Sequence, residues 1–270
     1  MKFLAAAIQM LAMSDKKANL EEAEAWIREA ARRGAKLVAL PEVFNWRGDK
    51  KEERSHAETI PGPSSERMAQ LARELGLYLL AGSILEAIPD SSKAYNTSLL
   101  YNPQGDIVVR YRKLHLFDVD IAGGVAILES ATREPGKEIA VAETEIGRMG
   151  LSICYDLRFP ELYRALTDKG AEIIFIPSAF TALTGEAHWE PLLRARAIEN
   201  QVYIIAPDQV GKNPKSIATY GNSMIVDPWG KVLARAPDGA GAVLAEMDLG
   251  YLAKVRAELP ALSHRRCFAN

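Results

Sequence analysis

Three side chains of complementary chemistry stand directly after apolar, strand-like runs. Glu42 follows Lys36–Leu40 (KLVAL) and Pro41, Lys113 follows Asp106–Arg112 (DIVVRYR), and Cys154 follows Met149–Ile153 (MGLSI). A thiol needs a base to become a nucleophile, and the oxyanion formed by its attack needs a positive donor. Glu and Lys supply these two functions. In α/β architectures the ends of strands project into a shared cleft. Pro160 can start a helix just beyond Cys154, so the cysteine falls in a sharp strand-to-helix turn near unpaired backbone N–H groups. Singly, each residue has an ordinary explanation: a small buried hydrophobe, a charge at a helix start, a surface lysine. In combination their complementary chemistry outweighs those separate explanations and fits a cysteine nucleophile with a base and a positive donor.

Other chemistries find less support. No G-x-S-x-G surrounds any serine, and Ser152 falls on the opposite strand face from Ile153. The histidines are His56, His115, His188 and His264. His115 and His188 could reach a cleft, but neither has an obvious carboxylate to orient it. No His/Cys/Asp group has metal-ligand spacing, and no glycine-rich phosphate loop is present, so neither a metal nor another cofactor is expected. With 33 basic and 35 acidic residues the net charge is −2, which gives no electrostatic case for nucleic acid or an anionic membrane. No apolar run approaches membrane-spanning length. The opening MKFLAAAIQM reads as a buried first strand rather than a signal peptide, because its apolar run is short and meets Gln9. Two cysteines far apart make no disulfide framework and fit a reducing cytoplasm.

The elements that must hold the three residues alternate almost to the end of the chain. Strands are expected at Lys2–Gln9, Lys36–Leu40, Tyr78–Leu85, Tyr95–Tyr101 and Asp106–Tyr111. Glu138–Glu143 and Arg148–Ile153 read as a hairpin around Gly147. Further strands are expected at Glu172–Ile176, Tyr203–Pro207, Ser223–Val226 and Val243–Met247. Helices are expected at Asn19–Arg33, Pro63–Leu75, Pro160–Lys169 and His188–Asn200, with Asp227-Pro228-Trp229-Gly230 as a turn. The segment 118–128 contains Gly123-Gly124 and lacks a clear period, so it reads as a mobile loop over the site. With 48% hydrophobic residues and no linker or repeat, residues 1–270 read as one α/β domain. Two packed sheets with helices on both outer faces would bury so many apolar runs.

Pro41-Glu42-Val43-Phe44, Tyr111-Arg112-Lys113-Leu114-His115-Leu116-Phe117 and Cys154-Tyr155-Asp156-Leu157-Arg158-Phe159-Pro160-Glu161 closely resemble the three signatures of the nitrilase superfamily. The resemblance runs over nearly the whole chain, including Ala187-His188-Trp189-Glu190 and Asp227-Pro228-Trp229-Gly230. It implies a four-layer αββα sandwich, a Glu-Lys-Cys centre and a homodimer packed through outer helices. By the same resemblance Glu42 takes the thiol proton and later activates water. Lys113 and the Tyr155 N–H hold the tetrahedral oxyanion, and Cys154 forms a thioester. Glu129 matches a second glutamate that the family often adds. Arg158 matches a position that holds a substrate carboxylate in some relatives, with a salt bridge to Asp156 or Glu161 as the alternative. Tyr155, Phe180 and His188 are further candidates for substrate contact. Arg196 reads as a structural partner of Glu199, Trp229 as packing, and Cys267 as inert.

Within the superfamily the chain is similar to the branch of deaminated glutathione amidases and omega-amidases. Pro177-Ser178-Ala179-Phe180 and Ser263-His264-Arg265-Arg266 lean towards the first. The implied substrate is a small amide bearing a 2-oxo acid. Hydrolysis of 2-oxoglutaramate, nitrile hydrolysis, or an inactive binding relative remain as alternatives.

Overall fold

Residues 1–122 and 124–266 are described by a computed structural model of the chain; Gly123 and Cys267 lie outside the described residues. Two sheets form the centre. In spatial order the first runs Gly241–Asp248, Lys2–Gln9, Ala35–Ala39, Tyr78–Leu80, Ala94–Tyr101 and Ile84–Ala87. Ile107–Arg112 and Arg133–Glu134 also pair with Ala94–Tyr101. The second runs Ala140–Thr144, Gly147–Leu151, Ile173–Phe175, Tyr203–Ala206, Met224–Val226 and Val232–Arg235.

The four layers follow from strands that are apolar on both faces. In the first sheet Ala5, Ala7, Leu37, Ala39 and Leu80 join one core with Met149, Leu151, Ile173 and Phe175 of the second. The alternate residues Ala6, Ile8, Val38 and Leu79 pack instead with Ala23 and Ile27 of helix Lys16–Arg32 and with Met68 and Leu71 of helix Pro63–Leu75. Leu162 and Leu166 of helix Pro160–Asp168, with Trp189 and Leu193 of helix Ala182–Asn200, cover the second sheet.

Several boundaries differ from the sequence expectation, each for a local reason. The first helix starts earlier, at Lys16, because Asp15 caps it by accepting from the Ala18 N–H. Helix Ala182–Asn200 starts six residues before His188, capped by Thr181, whose side chain accepts from the Thr184 N–H. The expected strand Tyr78–Leu85 is two strands, broken at Gly82 with φ +40°. Segment 118–128 is not an irregular loop. Asp118–Ile121 pairs antiparallel with Val125–Leu128 as a hairpin, and its Ala126 and Ile127 line the main cavity. Strand Val232–Arg235 and helices Glu53–His56 and Leu249–Glu258 were not expected. Among the described residues no helix is long and apolar enough to cross a membrane.

Candidate active site

Each of the three motif residues leaves a strand end through a strained or braced connection. Past Ala35–Ala39 the chain turns at Pro41 and Glu42, and Val43 adopts φ +46°. This conformation is costly for a branched residue. Ser83 braces it, accepting from the Val43 N–H through Oγ at 2.9 Å and from the Phe44 N–H through its carbonyl at 3.2 Å. Ser83 reaches that position because the strand breaks at Gly82. A Cβ there would lie 1.9 Å from the Pro41 carbonyl oxygen.

Cys154 begins a short 3₁₀ turn, Cys154–Arg158, with φ +48°. Asp156, fully buried, holds the turn by accepting from the Ile153 N–H at 2.8 Å, Tyr111 Oη at 2.6 Å and the His115 N–H at 3.1 Å. Asp156 also meets His115 Nδ1 at 2.7 Å, so His115 does have a carboxylate partner. It stacks on Phe159, with ring centroids 3.7 Å apart, and lines neither opening beside the cysteine. Ser152 Oγ is buried against Tyr163 Oη and the Phe175 carbonyl.

The segment Pro177-Ser178-Ala179 joins the two sheets at the site. The Pro177 carbonyl accepts from the Cys154 N–H at 3.0 Å, and the Ser178 carbonyl accepts from the Glu42 N–H at 3.3 Å. The Ala179 N–H donates to Glu42 Oε2 at 2.9 Å. Glu42 Oε1 accepts from Asn96 Nδ2 at 2.7 Å and Lys113 Nζ at 3.0 Å. Lys113, 1% exposed, also donates to Glu129 at 2.9 and 3.1 Å. Glu129 accepts from Arg133 and from the Phe117 N–H, and Arg133 continues to Glu53 at 2.7 Å.

The result is a buried row of alternating charge: Glu53, Arg133, Glu129, Lys113, Glu42. Burial opposes the charge on Lys113, but Glu129 and Glu42 outweigh it and hold the ammonium protonated above the ordinary lysine range. Burial likewise opposes Glu129, and Lys113 and Arg133 pull its carboxyl below the usual range. Burial first, and Glu42 second, push the Cys154 thiol well up, with Lys113 opposing. A thiol pushed up in this way must lose its proton as it attacks.

A cavity of about 550 Å³ opens over Glu42, Lys113, Glu129 and Cys154, and Arg47 and Lys50 also line it. A narrower recess shares Cys154, Phe117 and Ala179 and is otherwise lined by Tyr155, Arg158, Phe180, Thr181 and Thr184. Arg158 lies over the Phe180 ring at 5.2 Å and the Tyr155 ring at 5.9 Å, and its Nη1 meets His188 Nδ1 at 3.2 Å. Neither Asp156 nor Glu161 pairs with it. His188 lines neither opening. Arg196 donates to the Leu157 carbonyl and, at 2.9 Å, to Glu199, as expected. Arg194 donates to the Gly230 carbonyl, and Trp229 is 60% exposed rather than packed.

Sequence reading missed Arg47, Glu53, Asn96 and Arg133. Two carried a signal: Arg133 stands four residues past Glu129, and Asn96-Thr97-Ser98 is a polar run inside a buried strand.

This chain matches known proteins along nearly its whole length. It is 46% identical over 268 residues to the deaminated glutathione amidase of Bos taurus, covering 97% of this chain and 82% of that protein. It is 43% identical over 265 residues to an omega-amidase of Xenopus tropicalis, covering 98% and 95%. Saccharomyces cerevisiae Nit3, a member of branch 10 of the nitrilase superfamily, has a crystal structure that overlays with a TM-score of 0.87 at 36% identity, covering 96% of this chain and 94% of that one. The carbon-nitrogen hydrolase profile matches residues 4–257, and with these identities the chain belongs to the carbon-nitrogen hydrolase family as a hydrolase acting on amides.

Proposed function

We propose that this single domain hydrolyses deaminated glutathione to 2-oxoglutarate and cysteinylglycine through a thioester on Cys154. The observation that carries the reading is the Glu42–Lys113–Glu129 set opening onto the same cavity as the buried thiol. Cys154 Sγ attacks the amide carbon while its proton passes to Glu42. The carbonyl oxygen becomes an oxyanion held by Lys113 Nζ and the Tyr155 N–H. The C–N bond then breaks, and the amine leaves with the proton held by Glu42. Water attacks the thioester and gives a proton to Glu42; the C–S bond breaks, the acid is released and the thiol reforms. Glu129 positions Lys113 from the far side of the ammonium. On the recess side, Arg158 takes the carboxylate of the 2-oxo acid, flanked by Tyr155, Phe180 and His188.

The Xenopus relative favours a second reading, omega-amidase action on 2-oxoglutaramate. Ammonia as leaving group needs almost no room, whereas a dipeptide uses the 550 Å³ cavity. A free nucleophilic thiol suits a reducing cytoplasm, and the same reading carries a homodimer packed through outer helices, measurable by light scattering.

The test incubates purified protein with deaminated glutathione, 2-oxoglutaramate and a simple nitrile, beside Cys154→Ala. Expected are release of cysteinylglycine and an acyl adduct by intact mass after quenching, both lost in the variant. Turnover that survives Cys154→Ala, or an adduct on Cys267, overturns the assignment. Faster turnover of 2-oxoglutaramate selects the second reading.

A further inference from the structure

Of the five cations lining the main cavity, two already have carboxylate partners within it: Lys113 has Glu42 and Glu129, and Arg133 has Glu129 and Glu53. Lys215 lies 3.8 Å from Glu52 at the mouth. Arg47 is different. It is 6% exposed, yet among the described residues no carboxylate pairs with it. Its Nη1 has no hydrogen-bond partner, and its Nη2 reaches only Ser216 Oγ, at 3.3 Å. Its backbone is fixed on both sides, by the Met13 carbonyl accepting from its N–H and by Asn213 donating to its carbonyl. The buried acid Asp208 acts on the guanidinium only through space, with no direct hydrogen bond to it. Burial drives the Asp208 carboxyl well above the usual carboxylate range, and its Oδ2 is also unpartnered. The wall acid Asp49 instead caps the Lys50–Glu52 turn, accepting from the Lys51 N–H. A buried guanidinium without a counter-ion is costly to keep, and a planar fork is suited to a carboxylate.

Which part of the substrate brings that carboxylate follows from Glu42. The group that protonates the departing amine must face it, and Glu42 lines the main cavity but not the recess of Arg158. The leaving amine therefore extends towards Arg47, and the acyl chain lies towards Arg158. We propose that Arg47, with Ser216 beside it and Lys50 on the same wall, is the subsite for a carboxylate carried by the leaving amine, that is, a short peptide with a free C-terminus. The inference rests on the proposed roles of Cys154 and Glu42. It makes the two unpaired arginines the readers of a substrate with a carboxylate at each end, whereas a primary amide of a 2-oxo acid fills only one.

The experiment compares deaminated glutathione with its C-terminal carboxamide, in the wild type, Arg47→Gln and Arg47→Lys. A charged hydrogen-bonded contact predicts that the wild type prefers the free acid by about ten- to a hundredfold in kcat/KM. The preference collapses in Arg47→Gln and is partly kept in Arg47→Lys. Cysteinylglycine should also inhibit the wild type more strongly than cysteinylglycinamide, a comparison that needs no variant to fold. Equal use of acid and carboxamide by the wild type overturns the subsite, as does an Arg47→Gln enzyme that loses both equally. Turnover of 2-oxoglutaramate with no hydrolysis of either peptide instead overturns the deaminated-glutathione reading, and the subsite with it.

Discussion

Glu53→Gln tests whether the buried charge row works as one unit. Glu53 is 5% exposed and accepts from Arg133 Nη2 at 2.7 Å, Arg133 Nε at 3.1 Å and Thr132 Oγ1 at 2.7 Å. Glutamine keeps the volume and one acceptor but removes the charge. Arg133 is then left with Glu129 alone, and Glu129 already serves Lys113. Breaking a buried pair from one side costs roughly 3–5 kcal/mol. The retained amide oxygen brings the expectation to about 2–3 kcal/mol, a melting-point loss of roughly 4–5 °C for a chain of this size. The pH dependence has a definite sign. Burial raises the folded Glu53 carboxyl, but Arg133 outweighs it and the net shift is downward. The wild-type advantage is therefore complete above the ordinary carboxylate range, about pH 4.3, and is lost as pH falls through the lower folded value. Melting curves of both proteins from neutral to acid pH, by circular dichroism, measure the gap. A gap absent at neutral pH, or one that widens on acidification, refutes the reasoning.

Three further outcomes are expected. Lys113→Arg keeps the charge but puts a wide planar fork where a compact ammonium meets Glu42 and Glu129, so turnover should fall by on the order of a hundredfold or more; near-normal kcat places Lys113 away from the oxyanion. Gly82→Ala drives a Cβ into the Pro41 carbonyl at φ +40°, so both the melting point and kcat should drop as Glu42 shifts; a variant matching the wild type in both refutes the brace. Arg158→Ala should lower kcat/KM on 2-oxo acid amides by about ten- to a hundredfold while sparing neutral amides; equal losses with a lower melting point would make Arg158 a scaffold residue.

The residues legible in the sequence are those whose position depends on one strand end. Glu42, Lys113 and Cys154 each follow an apolar run, and a run such as KLVAL, buried on both faces, advertises itself without any partner. Where expectation failed, the signal was local but misweighed or absent. Gly82 marked a break inside an apolar stretch, and Asp118-Val119-Asp120-Ile121 alternates with period two beside a glycine turn, as a hairpin does. Helix Leu249–Glu258 buries only Leu252 and Val255, too little for a readable stripe.

Arg47, Lys50 and Lys215 belong to a different class. They stand on connections whose placement is set by contacts from far along the chain, such as Asn213 bonding the carbonyls of both Ala12 and Arg47. No periodicity records such a contact, so their significance emerges only when the cavity is assembled. The division is also functional. Cys154, Glu42 and Lys113, the proposed nucleophile, base and oxyanion cation, follow strand ends that the packed sheets hold rigid, while much of the large cavity's wall comes from irregular segments. A change at Arg47 or Ser216 can alter which amine leaves without disturbing the Glu42–Lys113 pair. By that logic, the choice of leaving amine is set by residues outside the three motifs, while the acyl side is read by Arg158 inside the third.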